Sequence, residues 1–255
     1  MTVAQASDSA FKPLGKKSYG SIGHLPTSRL GPGDHHIEAG QARKMLAELP
    51  KKDRLIVSEK VDGSNVGVCK VDGRIIAINR AGWNCLSSPH GQHRMFAAWV
   101  AENEARFDAI LGERERVCGE WLALAHGTLY TLAHEPFVAF DVFDAQDERI
   151  PYARFTERAL TAKLVTPHVF HDANVACPIE EVADMPSQHG AADGIKEGVV
   201  YRWERGDRVL LLAKWVRPDK IDGYLLTGDA TAGMRAERET WNWRPEARFP
   251  VEGER

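Results

Sequence analysis

The sequence has few cysteines, no long apolar run and little net charge. Its four cysteines (Cys69, Cys85, Cys118 and Cys177) include no Cys-x-x-Cys pair, so the usual zinc-binding motif is missing. We expect these cysteines to be reduced thiols in the core. No apolar run reaches the roughly 18 residues of a membrane span, and residues 1–20 lack the apolar core of a signal peptide. We therefore expect a cytoplasmic protein without a membrane partner.

Other absences narrow the function further. Neither a Gly-x-Gly-x-x-Gly fingerprint nor a P-loop occurs in the sequence, so the usual signatures of dinucleotide binding and of P-loop NTPases are missing. The net charge is −3, so nucleic acid, if it is bound, must be held by a local basic surface. With 255 residues, of which 43% are hydrophobic and 27% charged, the chain has the composition of one large folded domain, with or without a small appendage.

The apolar pattern predicts antiparallel strands interrupted by helices. The predicted strands cover residues 54–59, 66–71, 74–79, 116–124, 137–143, 198–203 and 209–216, and the predicted helices cover residues 38–49, 91–111 and 155–164, with more helix in the C-terminal third. The dipeptide Asp72-Gly73 stands between two predicted strands and signals a tight hairpin. This order favours an α+β fold over a doubly wound parallel sheet.

A lysine with a carboxylate on either side is a candidate nucleophile. The segment Glu59-Lys60-Val61-Asp62-Gly63-Ser64-Asn65 lies between two predicted strands, and its glycine permits a close approach of the backbone to a ligand. A lysine attacks only when it is neutral, and the flanking carboxylates alone would raise its pKa, so a bound cation must oppose them. The tetrapeptide Lys70-Val71-Asp72-Gly73 repeats the pattern at the predicted hairpin tip, so one of the two copies is expected to be structural.

Further candidate residues follow in order along the chain. They are Arg80, Glu120 in Gly119-Glu120-Trp121, the pair Phe140-Asp141, Glu197 in Glu197-Gly198-Val199-Val200-Tyr201, and Lys214 in Leu212-Ala213-Lys214-Trp215-Val216-Arg217. Together with the Lys60 segment, this ordered set resembles the motifs of covalent nucleotidyltransferases and is most similar to those of the ATP-dependent RNA ligase family. The similarity runs from about Tyr19 to Arg217.

The resemblance implies a covalent mechanism. Lys60 matches the family lysine that becomes adenylylated, and Glu120 matches a glutamate that binds the ribose. Asp62 and Glu197 match carboxylates on the metal side, and they imply Mg²⁺ or Mn²⁺, which prefer hard oxygen ligands. Lys214 matches a lysine that reaches the phosphates of ATP.

The remaining matches concern binding of the nucleotide. Glu59 corresponds to a contact on the adenine side, and Phe140 corresponds to an aromatic ring that stacks on adenine, with Asp141 as a supporting carboxylate. Asn65 matches a polar residue near the ribose and phosphates. Arg80 matches an essential arginine after the first motif.

The implied architecture is a nucleotidyltransferase domain of antiparallel sheets flanked by helices. We expect no OB domain, because the 41 residues after Lys214 are too few for one and its linker. The expected organisation is a flexible tail at 1–18, the nucleotidyltransferase domain at 19–225 and an extension at 226–255 packed on or near the core. In that extension the aromatic and basic segment Trp241-Asn242-Trp243-Arg244-Pro245 has two alternative roles, stacking on bases or packing on the core, and we favour packing.

The implied reaction is RNA ligation, with RNA ends as partners and a role in RNA repair. AMP would pass from Lys60 to an RNA 5′-phosphate, and a 3′-hydroxyl would then displace it. DNA ligases and mRNA capping enzymes share the lysine motif, although both carry an OB-type domain after the fifth motif. Two other functions stay open: adenylylation of a protein or small molecule, and nucleotide binding without turnover by a regulator.

Two features depart from the simplest pattern. The fifth motif of the family usually carries two basic residues one apart, whereas this chain has Leu212-Ala213-Lys214, so Arg217 is expected to supply the second charge. The pairs His90-x-x-His93 and His168-x-x-His171 have no third zinc-type ligand nearby, and structural roles are expected for them.

Overall fold

The structure is a computed structural model, and it describes residues 10–226 and 239–245. The helices and strands follow in the order β1 (Gly23–His24), α1 (Ala39–Leu46), β2 (Asp53–Lys60), β3 (Ser64–Val71), β4 (Arg74–Asn79), α2 (Gly91–Glu102), α3 (Glu104–Asp108), β5 (Arg116–Trp121), β6 (Phe137–Phe143), α4 (Tyr152–Thr161), β7 (Val169–Ala173), α5 (Ile179–Ala183), β8 (Gly198–Arg205) and β9 (Arg208–Val216). No helix within the described ranges has the length and apolarity needed to cross a membrane.

These strands form two sheets. One sheet has five strands in the order β1-β9-β8-β2-β7, and the other has four strands in the order β4-β3-β5-β6. All pairings are antiparallel except β1 with β9, so the predicted α+β class is confirmed. The chain passes from β2 of the first sheet to β3 of the second through residues 61–63 alone. The Lys60 segment therefore lies where the two sheets meet.

Each sheet has its own core. Aromatic side chains of α2 and α3 pack on the four-stranded sheet, where Phe96, Trp99, Phe107, Trp121 and Phe137 are buried together. Val and Leu side chains of β2 and the aromatic residues of β8 form the second core with α1. All four cysteines are buried and free of disulfides, as the sequence predicts. Burial of this apolar surface is the main favourable contribution to the free energy of folding, and it holds the helices on their sheets.

The prediction of one helix over residues 91–111 is wrong. The first helix ends at Glu102 and a second covers Glu104–Asp108, because Asn103 interrupts the helical geometry. The Asn103 side-chain amide donates to the Trp99 carbonyl at 2.8 Å, a bond that competes with the helix backbone. The helix predicted at 155–164 lies at Tyr152–Thr161 instead, directly after Pro151. The seven predicted strands all occur, with ends shifted by at most three residues.

Residues at both ends of the described chain pack on the body of the protein. Leu14 is buried with Cys69 and Ile78. Trp241 and Trp243 pack against the core of the four-stranded sheet, and this supports the packing alternative for that part of the extension. The division into a tail, a domain and an extension stays a prediction, since residues 1–9, 227–238 and 246–255 lie outside the described residues.

Candidate active site

A cavity of about 170 Å³ lies between the two sheets, and residues of both sheets line it. Among its lining residues are the sequence-predicted Glu59, Lys60, Asn65, Arg80, Glu120, Phe140, Asp141 and Lys214, together with Tyr19, Tyr152, Phe155 and Arg202. These side chains are spread over more than 150 residues of sequence, and the pairing of the strands brings them together.

Lys60 ends β2 and faces the carboxylate of Glu197, the residue just before the neighbouring strand β8. It pairs in register with Gly198 of β8, so Glu197 stands directly beside it. The Lys60 Nζ donates to Glu197 Oε2 at 2.6 Å. Burial lowers the pKa of Lys60, but the carboxylates of Glu197, Glu120 and Asp62 outweigh burial and hold that pKa well above its ordinary value. The amine is therefore an ammonium group until added positive charge offsets these carboxylates.

The second copy of the tetrapeptide lies in a different setting. Asp72 and Gly73 have φ angles of 51° and 69°, which are the left-handed conformations of a tight hairpin turn. The Glu113 carboxylate accepts from both of their backbone N–H groups, at 2.8 and 3.2 Å. Lys70 Nζ pairs with Asp108 at 2.7 Å and is not among the residues that line the cavity. This copy serves the hairpin.

Glycine is required at position 63 for packing, and not for the approach of a ligand that the sequence suggested. A Cβ atom at this position would lie 2.5 Å from the backbone oxygen of Trp121. The close approach that requires glycine is therefore to strand β5 rather than to a ligand. The same crossover lets the Gly63 N–H donate to Glu120 Oε1 at 3.3 Å, so the glycine sets the distance between the two motifs.

A buried lysine that the sequence analysis missed holds Asp62. The Nζ of Lys220 contacts Asp62 Oδ2 and donates to Thr128 Oγ1 at 3.1 Å, and only 2% of Lys220 is exposed. The same Asp62 oxygen accepts from the Gly127 N–H at 2.8 Å. Burial raises the pKa of Asp62, but Lys220 outweighs burial and the pKa lies below its ordinary value. Lys220 lies in the turn after Arg217, and nothing in the local sequence distinguishes this buried lysine from an exposed one.

The carboxylates around Lys60 outnumber the lysines. Asp62, Glu120 and Glu197 face Lys60 and Lys220, and burial raises the pKa of Glu120 to about 7 while Lys60 opposes the rise. Hard oxygen donors with an excess of negative charge fit a divalent cation such as Mg²⁺. Among the described residues no group of three or more His, Cys, Asp or Glu side chains is arranged to enclose a metal, so such a cation would need ligands from water or a phosphate.

Lys214 and Arg80 add positive charge to the cavity. Lys214 Nζ lies 3.7 Å from Asp34 Oδ1, and burial lowers the pKa of Lys214, with Lys60 acting in the same direction. The guanidinium of Arg80 donates to Ser21 Oγ at 3.1 Å.

Arg217 does not join the cavity lining. Its Nη1 donates to Asp219 Oδ2 at 2.8 Å, so the second charge expected beside Lys214 is not brought there by Arg217. The backbone N–H of Arg217 donates to the Glu197 carbonyl at 3.1 Å.

At the apolar end of the cavity, Phe140 is held by a network that includes Asp141. The ring of Tyr19 meets Phe140 edge to face, with 5.1 Å between the ring centres, and the Tyr19 hydroxyl donates to Asp141 Oδ2 at 2.7 Å. Arg149 Nε donates to the same oxygen at 3.0 Å, and Arg202 Nη1 donates to Asp141 Oδ1 at 2.5 Å. Asp141 therefore lines the cavity and also orients Tyr19, a lining residue that no sequence motif indicated.

Two predicted nucleotide contacts differ in their freedom to bind. The Oδ1 atom of Asn65 is buried and has no hydrogen-bond partner among the residues that the structure describes, so it can accept from a hydroxyl or a water in the cavity. The carboxylate of Glu59 already accepts from Ser187 Oγ at 2.6 Å and from the Gln188 N–H at 2.8 Å. Glu59 thus holds the loop beside the cavity through its side chain.

The paired histidines take part in ordinary hydrogen bonds. His93 lies between Ser64 Oγ and Ser88 Oγ, at 2.9 and 2.8 Å from its two ring nitrogens. Burial lowers the pKa of His93 to about 4, so the ring is neutral. His171 Nε2 lies 3.1 Å from the Val175 carbonyl oxygen. These contacts agree with the structural roles expected from the sequence.

The fold is of the type found in the nucleotidyltransferase domains of nucleic-acid ligases. The model of the RNA ligase family matches residues 53–216, which is more than half of the chain, and the chain belongs to that family. No curated protein matches the sequence.

Solved structures of ligases share the fold at low sequence identity. A Naegleria gruberi RNA ligase variant with AMP and Mn has a TM-score of 0.54 and 16% identity, over 76% of this chain and 59% of that chain. Another variant, with ATP and Mn, has a TM-score of 0.52 and 16% identity, over 79% and 61%. A putative ATP-dependent DNA ligase from Aquifex aeolicus has a TM-score of 0.51 and 18% identity, over 78% and 49%. The chain thus spans about half to three fifths of the length of these proteins.

Proposed function

We propose that this protein is an ATP-dependent RNA ligase that forms lysyl-AMP at Lys60, transfers AMP to an RNA 5′-phosphate and seals that end to a 3′-hydroxyl. The observation that carries the proposal is the position of the Lys60 amine in a cavity between two sheets. Three carboxylates surround this amine, and Lys214 and Arg80 line the same cavity. Membership of the RNA ligase family supports the same conclusion. We also propose a cytoplasmic site of action with RNA ends as the substrate.

In the first step the Lys60 nitrogen attacks the α-phosphorus of ATP. A P–N bond forms, the bond to pyrophosphate breaks, and the ammonium must first lose a proton. Glu197 accepts the hydrogen bond of Lys60 at 2.6 Å and is placed to take this proton. A divalent cation held by Asp62 and Glu197 would supply the positive charge that lowers the lysine pKa and would offset charge on the phosphate oxygens.

The other lining residues position the nucleotide. Phe140, fixed at its edge by Tyr19, offers an aromatic face for adenine. Glu120 and the Oδ1 of Asn65, which lacks a hydrogen-bond partner in the described part of the chain, would bind the ribose hydroxyls. Lys214 would hold the phosphates in line with the lysine.

The later steps use the same centre. The 5′-phosphate of RNA attacks the AMP phosphorus, so the P–N bond at Lys60 breaks and a phosphoanhydride forms. A 3′-hydroxyl then attacks the 5′-phosphorus and AMP leaves. We expect RNA 3′-hydroxyl ends to be used above DNA ends, because recognition through the 2′-hydroxyl separates the two.

The test uses ATP labelled at the α-phosphate, followed by 5′-phosphorylated RNA. We expect label on Lys60, mapped by mass spectrometry, and then transfer of label to RNA and a sealed product. Lys60→Met should lose the label, and the matched Lys70→Met should keep it. Label that stays on the protein would indicate another acceptor, and bound ATP without any covalent label would indicate a regulator; either result overturns the proposal.

A further inference from the structure

A surface beside the cavity combines an exposed aromatic ring with basic side chains. Trp83 lies in the loop between β4 and α2, and 43% of it is exposed. The Nζ of Lys12 lies 4.8 Å from the centre of the Trp83 ring. Trp83 stands three residues after Arg80, which lines the cavity. Lys12, Lys17, Arg80 and Trp83 together form a basic aromatic surface next to the cavity.

Backbone contacts fix the two segments that build this surface. Gly82 has a φ of +88°, and a Cβ there would collide with the Lys16 carbonyl oxygen and lie 3.3 Å from Lys17 Cα. Only glycine allows this close packing of the loop on residues 16–17. The N–H groups of Ser18 and Tyr19 both donate to the Arg80 carbonyl, at 3.0 and 3.3 Å. These contacts hold the two segments in a fixed position relative to each other.

The charge of these segments differs from that of the chain. Residues 10–33 contain three lysines and one arginine and no Asp or Glu, and residues 73–101 contain three arginines and no Asp or Glu. The whole chain has 33 basic and 36 acidic residues, so both stretches are unusual for it. Asp147 pairs with Lys16 at 3.1 Å, whereas Lys12, Lys17 and Arg80 have no ion pair within the described residues. This surface is complementary to a polyanion.

We propose that the basic aromatic surface binds the unpaired end of an RNA strand, with one base stacked on the exposed face of Trp83. The strand's phosphates lie along Lys12, Lys17 and Arg80, and Arg80 leads the end of the strand into the cavity. Stacking on an aromatic ring accepts any base, as a ligase with varied ends requires. The identity of the strand as substrate rests on the proposed function, whereas the binding itself needs neither ATP nor Lys60.

The test is anisotropy of a labelled, 5′-phosphorylated single-stranded RNA of about 10 nucleotides, measured without ATP. Trp83→Ala should weaken binding roughly tenfold to a hundredfold, the usual effect of losing one stacked base, and Trp83→Phe should weaken it less. The control is Leu160→Ala, which alters an exposed apolar residue of α4 and should bind as wild type. Thermal unfolding checks that each variant is folded.

Salt dependence tests the charged part of the surface. Lys17→Ala should reduce the slope of log K against log salt by about 0.7, the value for one phosphate contact on a single strand. Lys51→Ala, at an exposed turn before β2, should leave the slope unchanged. A blunt RNA duplex has no unpaired base to stack, so Trp83→Ala should not weaken its binding.

Wild-type affinity of Trp83→Ala for the single strand, or an equal loss for the blunt duplex, would overturn the proposal. Because ATP is absent, failure of the protein to form lysyl-AMP would remove the proposed function and leave this result standing. If the protein ligates RNA normally but its RNA binding does not depend on Trp83, the proposal for this surface is wrong and the proposed function stands.

Discussion

Arg202 on β8 and Asp141 on β6 form a buried ion pair that joins the two sheets at the wall of the cavity. The Nη1 to Oδ1 distance is 2.5 Å, and the two side chains are 6% and 1% exposed. Arg202 also donates to Glu204, and Asp141 also accepts from Tyr19 and Arg149. The charges are thus satisfied on both sides, and the pair couples the position of Tyr19 to the five-stranded sheet.

Removing Arg202 should destabilise the fold strongly. Arg202→Met leaves the carboxylates of Asp141 and Glu204 buried without this partner, and loss of one member of a buried pair costs about 3–5 kcal/mol. The matched control is Arg54→Met, because Arg54 pairs with Asp172 at 2.6 Å near the surface, where such a pair contributes about 0–1 kcal/mol. Urea unfolding measures both, and equal losses would contradict the role assigned to the buried pair.

Lys214 and Arg217 should differ in their effect on adenylylation. Lys214→Ala should abolish it, since Lys214 lines the cavity beside Lys60. Arg217→Ala should lower the rate of adenylylation by roughly fivefold at most, which corresponds to about 1 kcal/mol, because Arg217 pairs with Asp219 and does not line the cavity. Single-turnover rates with labelled ATP decide, and a fully active Lys214→Ala protein would show that this strand is only core.

Lys220 should act as a positioning residue through Asp62. Lys220→Met leaves Asp62 without its ammonium partner, so we expect the rate of adenylylation to fall by tenfold or more, the effect of about 1.5–3 kcal/mol for a charge-assisted contact. Lys220→Arg should recover part of the rate. The pH profile separates this role from a purely structural one.

In that profile the acid limb should move to higher pH in Lys220→Met, because Lys220 lowers the Asp62 pKa more than any other group does. The matched control is Lys196→Met, which removes another buried lysine whose Nζ donates to the Ala183 carbonyl at 2.8 Å. It should lower stability and leave the acid limb in place. An unshifted limb in Lys220→Met would contradict the positioning role.

Glu120 should make stability depend on pH near neutrality. Burial raises its pKa to about 7 in the folded protein, above the ordinary glutamate value, so the contribution of Glu120 to stability is fully present below about pH 4.5 and is lost as the pH rises through 7. Glu120→Gln removes the charge and should be more stable than wild type by about 2–3 kcal/mol at pH 8, with little difference at pH 4.5. Glu157→Gln on exposed α4 is the control, and urea unfolding across this range measures the effect.

Local patterns explain why the strands were predictable and why some features were not. The Asp72-Gly73 hairpin follows from two residues that accept left-handed φ angles. The break at Asn103 depends on one side-chain bond to Trp99, which competes with a good helical pattern. Strand β1 has only two residues and exists through its pairing with β9, far along the chain, so no local signal marks it.

The sequence by itself determined the strand segments, the hairpin and the order of the motifs, because these depend on neighbouring residues and on recurrence along the chain. It carried the tetrapeptide Lys-Val-Asp-Gly at Lys60 and again at Lys70, and the hairpin signal at Asp72-Gly73 marked the second copy as structural. Only the tertiary structure placed Glu197, 137 residues away, at 2.6 Å from Lys60, and Asp108 at the surface beside Lys70. It also placed Lys220 on Asp62. Electrostatic energy depends on distance and burial in space, so the state of each lysine is decided by which charges the sheets bring to it.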